Sequence, residues 1–224
     1  NPDAWRLSIV SFVVRHGERY LHHNFLAALL NDLFGIQARA GCSCAGPYGH
    51  RLLGIDLATS RAFEREIIGG CEGIKPGWVR VNFNYFISEA TFEFLLAAVH
   101  LAAREGHRLL PHYRFEPSTG LFHHRDATRT APRRLHDATY RAGKLEYRPR
   151  HATEPEHVLA GYLDQARAIL DQAVSEAQVV EPPKLSADFE TLRWFPLPHE
   201  IAAERDGDPR AAERSFQLLH QVAG

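Results

Sequence analysis

The sequence predicts an α/β fold: a small α/β sandwich, a short sheet with helices packed on it, followed by a largely helical and irregular C-terminal extension. Two observations carry this. Over residues 6–106 the apolar patterning runs in the order β-α-β-α-α-β-α, as expected of a sheet covered by helices. After Leu110 the texture changes, and residues 111–150 are rich in Arg, His, Pro and Thr with little periodicity. The division is therefore drawn at residues 1–108 for the α/β domain and 109–224 for the extension.

Residues 6–14, rich in β-branched side chains, read as a buried strand. From His23 to Phe34 the spacing of Phe25, Leu26, Leu29, Leu30 and Leu33 predicts a helix, stopped by Gly35. Ile36 to Ala40 reads as a second short strand, and Pro47 suits the first turn of a helix running to about Leu53. Thr59 or Ser60 is expected to cap a further helix through Ile68, ended by Gly69-Gly70. Alternation from Trp78 to Phe86 gives the clearest half-buried strand, and Ser88 opens a long helix that stops near Gly106. Beyond the loop-rich stretch 111–150, a helix is expected over about 155–178, broken at Glu181-Pro182-Pro183, and a short one over about 209–222 in the tail.

A chain of 224 residues can bury a sizeable core. With 26 basic and 27 acidic residues its net charge is −1, which points to no nucleic acid and no anionic membrane surface as partner. No apolar run is long enough to span a membrane. Three cysteines are too few, and odd in number, for a disulfide framework, so a reducing, cytoplasmic setting is expected. The chain has no methionine and strand-like sequence begins at Trp5, which leads to the expectation of a C-terminal piece of a longer protein.

The stretch Gly35 to His50 is the most informative. It sets Cys42 and Cys44 on a glycine-edged loop between a short strand and a helix, where Arg39 and the helix N-terminus favour a thiolate. Cys44 is the first candidate nucleophile; the alternative is a small apolar residue packed under the loop. Cys42 supports the loop or pairs with Cys44. Cys42, Cys44, His50 and Cys71 also form a conceivable metal set, although their spacing is not that of structural zinc sites. Arg80, mid-strand between Val79 and Val81, is suited to gripping a carboxylate with both guanidinium nitrogens; the alternative is an edge-strand arginine in solvent. Arg39 is a second anion contact or a solvated charge. His22-His23, His123-His124 and the arginines from Arg125 to Arg134 read as a solvated loop surface, because aromatics are not interleaved with them.

Gly35-Ile36-Gln37-Ala38-Arg39-Ala40-Gly41-Cys42-Ser43-Cys44-Ala45 resembles the G-I-x-x-R-x-G-x-x-C-A segment of a known superfamily. These are the fold-type I, pyridoxal 5'-phosphate (PLP) dependent enzymes of the class V aminotransferase, or cysteine desulfurase-like, group, and the segment belongs to their C-terminal small domain. Arg80, within Trp78-Val79-Arg80-Val81-Asn82-Phe83 and followed by Ser88-Glu89, stands where that family has a strand arginine. The Arg-x-Gly-Cys-x-Cys form is also similar to the desulfurase domain of molybdenum-cofactor sulfurases. The resemblance covers residues 5–106.

The resemblance implies Cys44 as the sulfur-accepting nucleophile and Arg80 as the binder of an amino-acid substrate's carboxylate, with Arg39 and His50 as further substrate contacts. It implies PLP as cofactor, a homodimer, and a preceding large domain that carries the Schiff-base lysine. The sequence departs from the family in two ways. None of Lys75, Lys144 and Lys184 stands in a PLP-lysine motif, and the cysteine is doubled. Activity is therefore expected only when the chain is joined to its large domain. The alternatives are a class V aminotransferase or lyase without a cysteine nucleophile, and a non-catalytic metal- or partner-binding module.

Overall fold

The computed structural model describes residues 7–42, 46–127, 138–147, 154–175, 179–204 and 216–218. The architecture is mixed α/β, with an antiparallel sheet in the order β2-β1-β4-β3 and a further strand, β9, on β1. β1 (Ile9–His16) turns at Gly17-Glu18 into β2 (Arg19–Leu21), a hairpin in which His16 pairs with Arg19. The strand runs two residues past Val14, where the sequence pattern places its end. β4 (Trp78–Asn82) lies between β1 and β3 (Arg39–Gly41), with Phe12 opposite Val79 and Val10 opposite Val81.

α1 (His23–Phe34) forms as its apolar stripe predicts. Gly35 closes it in the left-handed conformation, φ 67°, which lets the Ile36 amide turn back to the Leu30 carbonyl at 3.0 Å. That bond commits Ile36 to the helix end, so β3 begins at Arg39 rather than at Ile36 as expected. α2 (Gly46–Leu53) follows the cysteine loop. α3 (Leu57–Ile68) is capped by Asp56, which accepts from the Thr59 amide at 2.7 Å, and not by Thr59 or Ser60. β4 stops at Asn82, earlier than the expected Phe86. The Phe83 amide still reaches Ser8, but the chain then turns and leaves Tyr85 and Phe86 in solvent. α4 (Glu89–Glu105) is capped by Ser88 as expected.

The later half is less irregular than its composition suggests. A 3₁₀ turn (Gly106–His112) leads into a hairpin, β5 (Tyr113–Glu116) and β6 (Leu121–His124), that buries Tyr113, Phe115 and Phe122. A second hairpin, β7 (Ala138–Arg141) and β8 (Lys144–Tyr147), is exposed. The expected long helix is α5 (Leu159–Ser175), which packs on α4. Two short helices, α6 (Ala187–Leu192) and α7 (Pro198–Glu204), were not foreseen. Within the tail stretch read as a helix over 209–222, Phe216–Leu218 is instead the strand β9, paired with Phe12–Val14; the remainder lies outside the described residues. Phe216 and Leu218, two apart, suit the strand period. Phe12, Phe25, Leu29, Val79, Ala98, Tyr113, Leu170, Phe189, Phe195 and Ile201 all belong to one buried cluster. No helix among the described residues is long and apolar enough to cross a membrane.

Two polar centres hold this core together. At the first, His22 and His23 are 2 % and 5 % exposed, so the reading of this pair as solvated surface is corrected. His22 Nδ1 accepts from the Asn24 amide and caps α1, while its Nε2–H donates to the Gly73 carbonyl, both at 3.1 Å. That partner set fits the neutral Nε2–H tautomer. His23 Nε2 donates to the Lys75 carbonyl at 3.1 Å, Asn24 Nδ2 donates to Gly120 at 2.8 Å, and the Trp194 ring stacks on His22 at 5.1 Å. At the second, the buried Arg193 guanidinium bonds Glu190, the Phe195 carbonyl and Glu200. Burial alone would raise the Glu200 carboxyl, but its bonds to Arg193 and the Leu197 amide hold it down at about 2.

Both centres make stability fall in acid. Burial, reinforced by the mutual charge of the pair, holds His22 well below the ordinary histidine range, and burial also lowers His23. The unfolded chain therefore binds protons that the folded chain excludes, and stability declines as pH falls below about 6.5. Glu200 adds stability that is full above about 4.5 and lost toward about 2, amounting to about 1–2 kcal/mol after solvent screening. Urea midpoints measured against pH should show two descending steps. His22→Asn, which keeps a cap, should shrink the upper step, and Glu200→Gln the lower one; a flat profile from pH 7 to 5 would contradict the neutral histidine pair.

Candidate functional site

In the β3–β4 pair, Arg39 lies directly opposite Arg80, Ala40 opposite Val79, and Gly41 opposite Trp78. Strand alternation then separates two faces. Phe12, Val79 and Val81 join the core under α1, while Arg39, Trp78, Arg80 and the neighbouring Ser11 share the other face. Arg80 is half-buried on an interior strand, not on a sheet edge. Its guanidinium carbon sits 5.7 Å from the centroid of the Trp78 ring, a cation–π arrangement that holds the side chain over the indole. Arg39, on the edge strand β3, is exposed. Neither arginine has a carboxylate partner among the described residues.

The register that opposes the two arginines comes from a backbone approach. A Cβ on Gly77 would meet the Gly41 carbonyl carbon at 2.5 Å and His23 Cδ2 at 2.8 Å. Only glycine lets the entry to β4 slide this close beneath the end of β3. Because His23 also grips the Lys75 carbonyl, the N-terminus of α1 sets where β4 begins.

Beyond Gly41 the chain reaches Cys42, which is exposed and lies on the wall of a pocket shared with His50 and Trp78. Cys44, the expected nucleophile, lies outside the described residues. Cys71 sits apart, half-buried between α3 and a 3₁₀ turn (Glu72–Ile74), and its thiol is pushed up by burial and by the Glu66 charge. Among the described residues no group of three or more His, Cys, Asp and Glu is placed to hold a metal ion. Of the histidine and arginine stretch read as surface, His123 and Arg125 are exposed, Arg125 donating from Nε to the Pro111 carbonyl, whereas His124 is half-buried and stacks at 6.3 Å on His112. Residues 128–134 lie outside the described residues.

The lysines do not fit a covalent PLP site. Lys75 is ion-paired with Glu72, Lys144 stands on the exposed β7–β8 hairpin, and Lys184 is exposed. None is a buried amine beside Arg80, so no step is assigned through the cofactor in this chain. What the site offers is a pair of guanidinium groups on one sheet face, without a carboxylate partner among the described residues, next to a loop that carries thiols. Trp78 was read in the sequence only as a strand residue. Its role as floor of the site shows in the small residues gathered around it, Gly41, Gly49 and Gly77, whose meeting depends on tertiary structure. No family model, no curated protein and no solved structure matches this chain.

Like charges directly opposite on a sheet destabilise it, so the arginine pair weakens β3–β4. Arg39→Glu should turn that repulsion into attraction and raise stability by about 0.5–1 kcal/mol at low ionic strength. Urea denaturation in 20 mM and 500 mM salt checks this: the gain should shrink in high salt. A variant no more stable than the parent in low salt would mean the two guanidinium groups do not face each other.

Proposed function

We propose that this chain is the substrate-side portion of a PLP-dependent enzyme of the class V aminotransferase or cysteine desulfurase-like group, acting on an amino acid by sulfur transfer. The single observation that carries the reading is the arginine pair: Arg39 and Arg80 lie opposite each other without acidic partners among the described residues, and Arg39 stands three residues before Cys42, where the thiol loop begins. A guanidinium held over an indole is preorganised for a carboxylate, because its fork matches both oxygens and little rotamer freedom remains to lose.

In this reading Arg80 binds the substrate's α-carboxylate and Arg39 adds positive potential at the same face. The Cys44 thiolate attacks the substrate's sulfur atom and forms the S–S bond of a persulfide as the substrate's Cβ–S bond breaks, the electron pair of that bond passing to Cβ, which takes up a proton. Cationic surroundings favour the thiolate, which is the reactive form. PLP and its lysine belong to the large domain, the partner that the exposed Arg39 edge of this face would meet, within a cytoplasmic homodimer. The small α/β sandwich then serves as the wall of a site whose other wall lies in that domain. An aminotransferase or lyase of the same group would use Arg80 in the same way and leave the thiols idle.

The protein joined to its large domain tests this. With cysteine as substrate, Cys44→Ser should lower sulfide release by at least about a hundredfold while the PLP absorbance stays intact. Arg80→Ala should raise KM at least tenfold, in line with loss of a charge-assisted bidentate contact. Unchanged turnover in Cys44→Ser would favour the aminotransferase or lyase. An unchanged KM in Arg80→Ala would remove the site altogether.

A further inference from the structure

Strands β1 to β4 carry Arg15, Arg19, Arg39 and Arg80 and hold no Asp or Glu. Two of these arginines are satisfied by side chains. Arg19 meets the Glu200 carboxylate at 3.1 Å, and Arg15 donates to the Tyr20 hydroxyl at 3.3 Å. Arg39 and Arg80 have no hydrogen-bonded side-chain partner among the described residues, although they are the two that lie directly opposite each other.

Directly opposed residues on one face of an antiparallel pair bring their Cβ atoms to about 4.5–5.5 Å, so both guanidinium groups can reach one ligand. Among the described residues there is also room for it. Gly41 shares the face of Arg39 and lies opposite Trp78, and a Cβ built there would meet nothing within 4 Å. Arg80 is held over the Trp78 ring, and the exposed Cys42 follows Gly41 in the chain.

Charge decides what fits. One carboxylate offers two oxygens and a single charge, which one guanidinium fork satisfies. The second guanidinium is then left without an anion of its own. An ordinary amino acid is a zwitterion, and its ammonium group brings a third positive charge to the face. An acid group in the side chain removes that mismatch, because each guanidinium then receives its own anion.

We propose that the Arg39–Arg80 pair selects an amino acid with an anionic side chain, Arg80 taking the α-carboxylate and Arg39 the side-chain anion. This rests on the reading of Arg80 as the α-carboxylate binder, which the sulfur-transfer form and the aminotransferase or lyase form share. In the sulfur-transfer form the second charge belongs to the sulfur-bearing side chain. Arg39 is thereby a specificity-determining residue.

Aspartate and asparagine have the same shape and differ in side-chain charge. Each can be titrated into the full chain in 20 mM salt, with the backbone amides of Arg39, Gly41 and Arg80 followed by ¹H–¹⁵N NMR. Aspartate should bind about fivefold more tightly, the scale of one solvent-exposed ion pair at low ionic strength, and the preference should shrink in 500 mM salt. Arg39→Gln should abolish the difference between the two ligands, and Arg80→Gln should weaken both. Equal affinity for aspartate and asparagine in the unaltered protein would overturn the proposal and leave the α-carboxylate reading of Arg80 standing. Absence of a saturable shift with either ligand would overturn both. A preference for aspartate that survives in Arg39→Gln, with the amide spectrum reporting an intact fold, would overturn the assignment to Arg39.

Discussion

The N-terminus of α1 is the constraint on which the rest of the structure depends. His22 caps the helix, and His22, His23 and Asn24 donate to three carbonyls that are distant in sequence, those of Gly73, Lys75 and Gly120. Three side chains thereby tie one helix to the entry of β4 and to the β5–β6 turn, and Trp194 closes over them by stacking. Such a centre works only while it excludes water and protons. A buried polar group without its partner costs about 1–3 kcal/mol, so removing either histidine would leave its carbonyl, that of Gly73 or of Lys75, to that cost.

The consequence for the site is geometric. His23 and Gly41 crowd Gly77 from two sides, and the register of β3 on β4 follows from that crowding. The same register that seals the core face with Val79 and Val81 sets Arg39 against Arg80 on the other face. The fold therefore carries a repulsion that neither core packing nor strand pairing requires. In the reading proposed above, this local weakening prepares the face for an anion, whose chemistry would take place at the thiol loop that begins at Cys42, three residues beyond Arg39.

Much of the first hundred residues was legible because their signals are local. The stripe from Phe25 to Leu33, the Ser88 cap and the alternation through Val79 and Val81 each need only a few neighbours in sequence. The errors arose where tertiary contacts overrule composition. Residues 15–21 carry no apolar pattern that marks a strand, yet they complete a hairpin, since β1 pairs with β2 through backbone groups that are blind to side-chain polarity. Tyr113, Phe115 and Phe122 are diluted by arginines and histidines, and only their period of two marks the β5–β6 hairpin. His22 and His23 look like surface in sequence, because nothing local reveals three carbonyls converging on them. At the site, alternation correctly placed Arg80 opposite to Val79 and Val81, but its pairing with Arg39 depends on a register set by Gly77, which no sequence pattern states.

The central claim is that the histidine terminus of α1 sets the β3–β4 register and so opposes the two arginines. Cross-strand NOEs at neutral pH between Arg39 and Arg80, and between Gly41 and Trp78, measure that register directly in the full chain and in His23→Ala. The account predicts both sets of NOEs in the parent, and their loss in the variant while the contacts of Ser11 with Arg80 across β1–β4 persist. A His23→Ala protein that keeps the Arg39–Arg80 NOEs would contradict it.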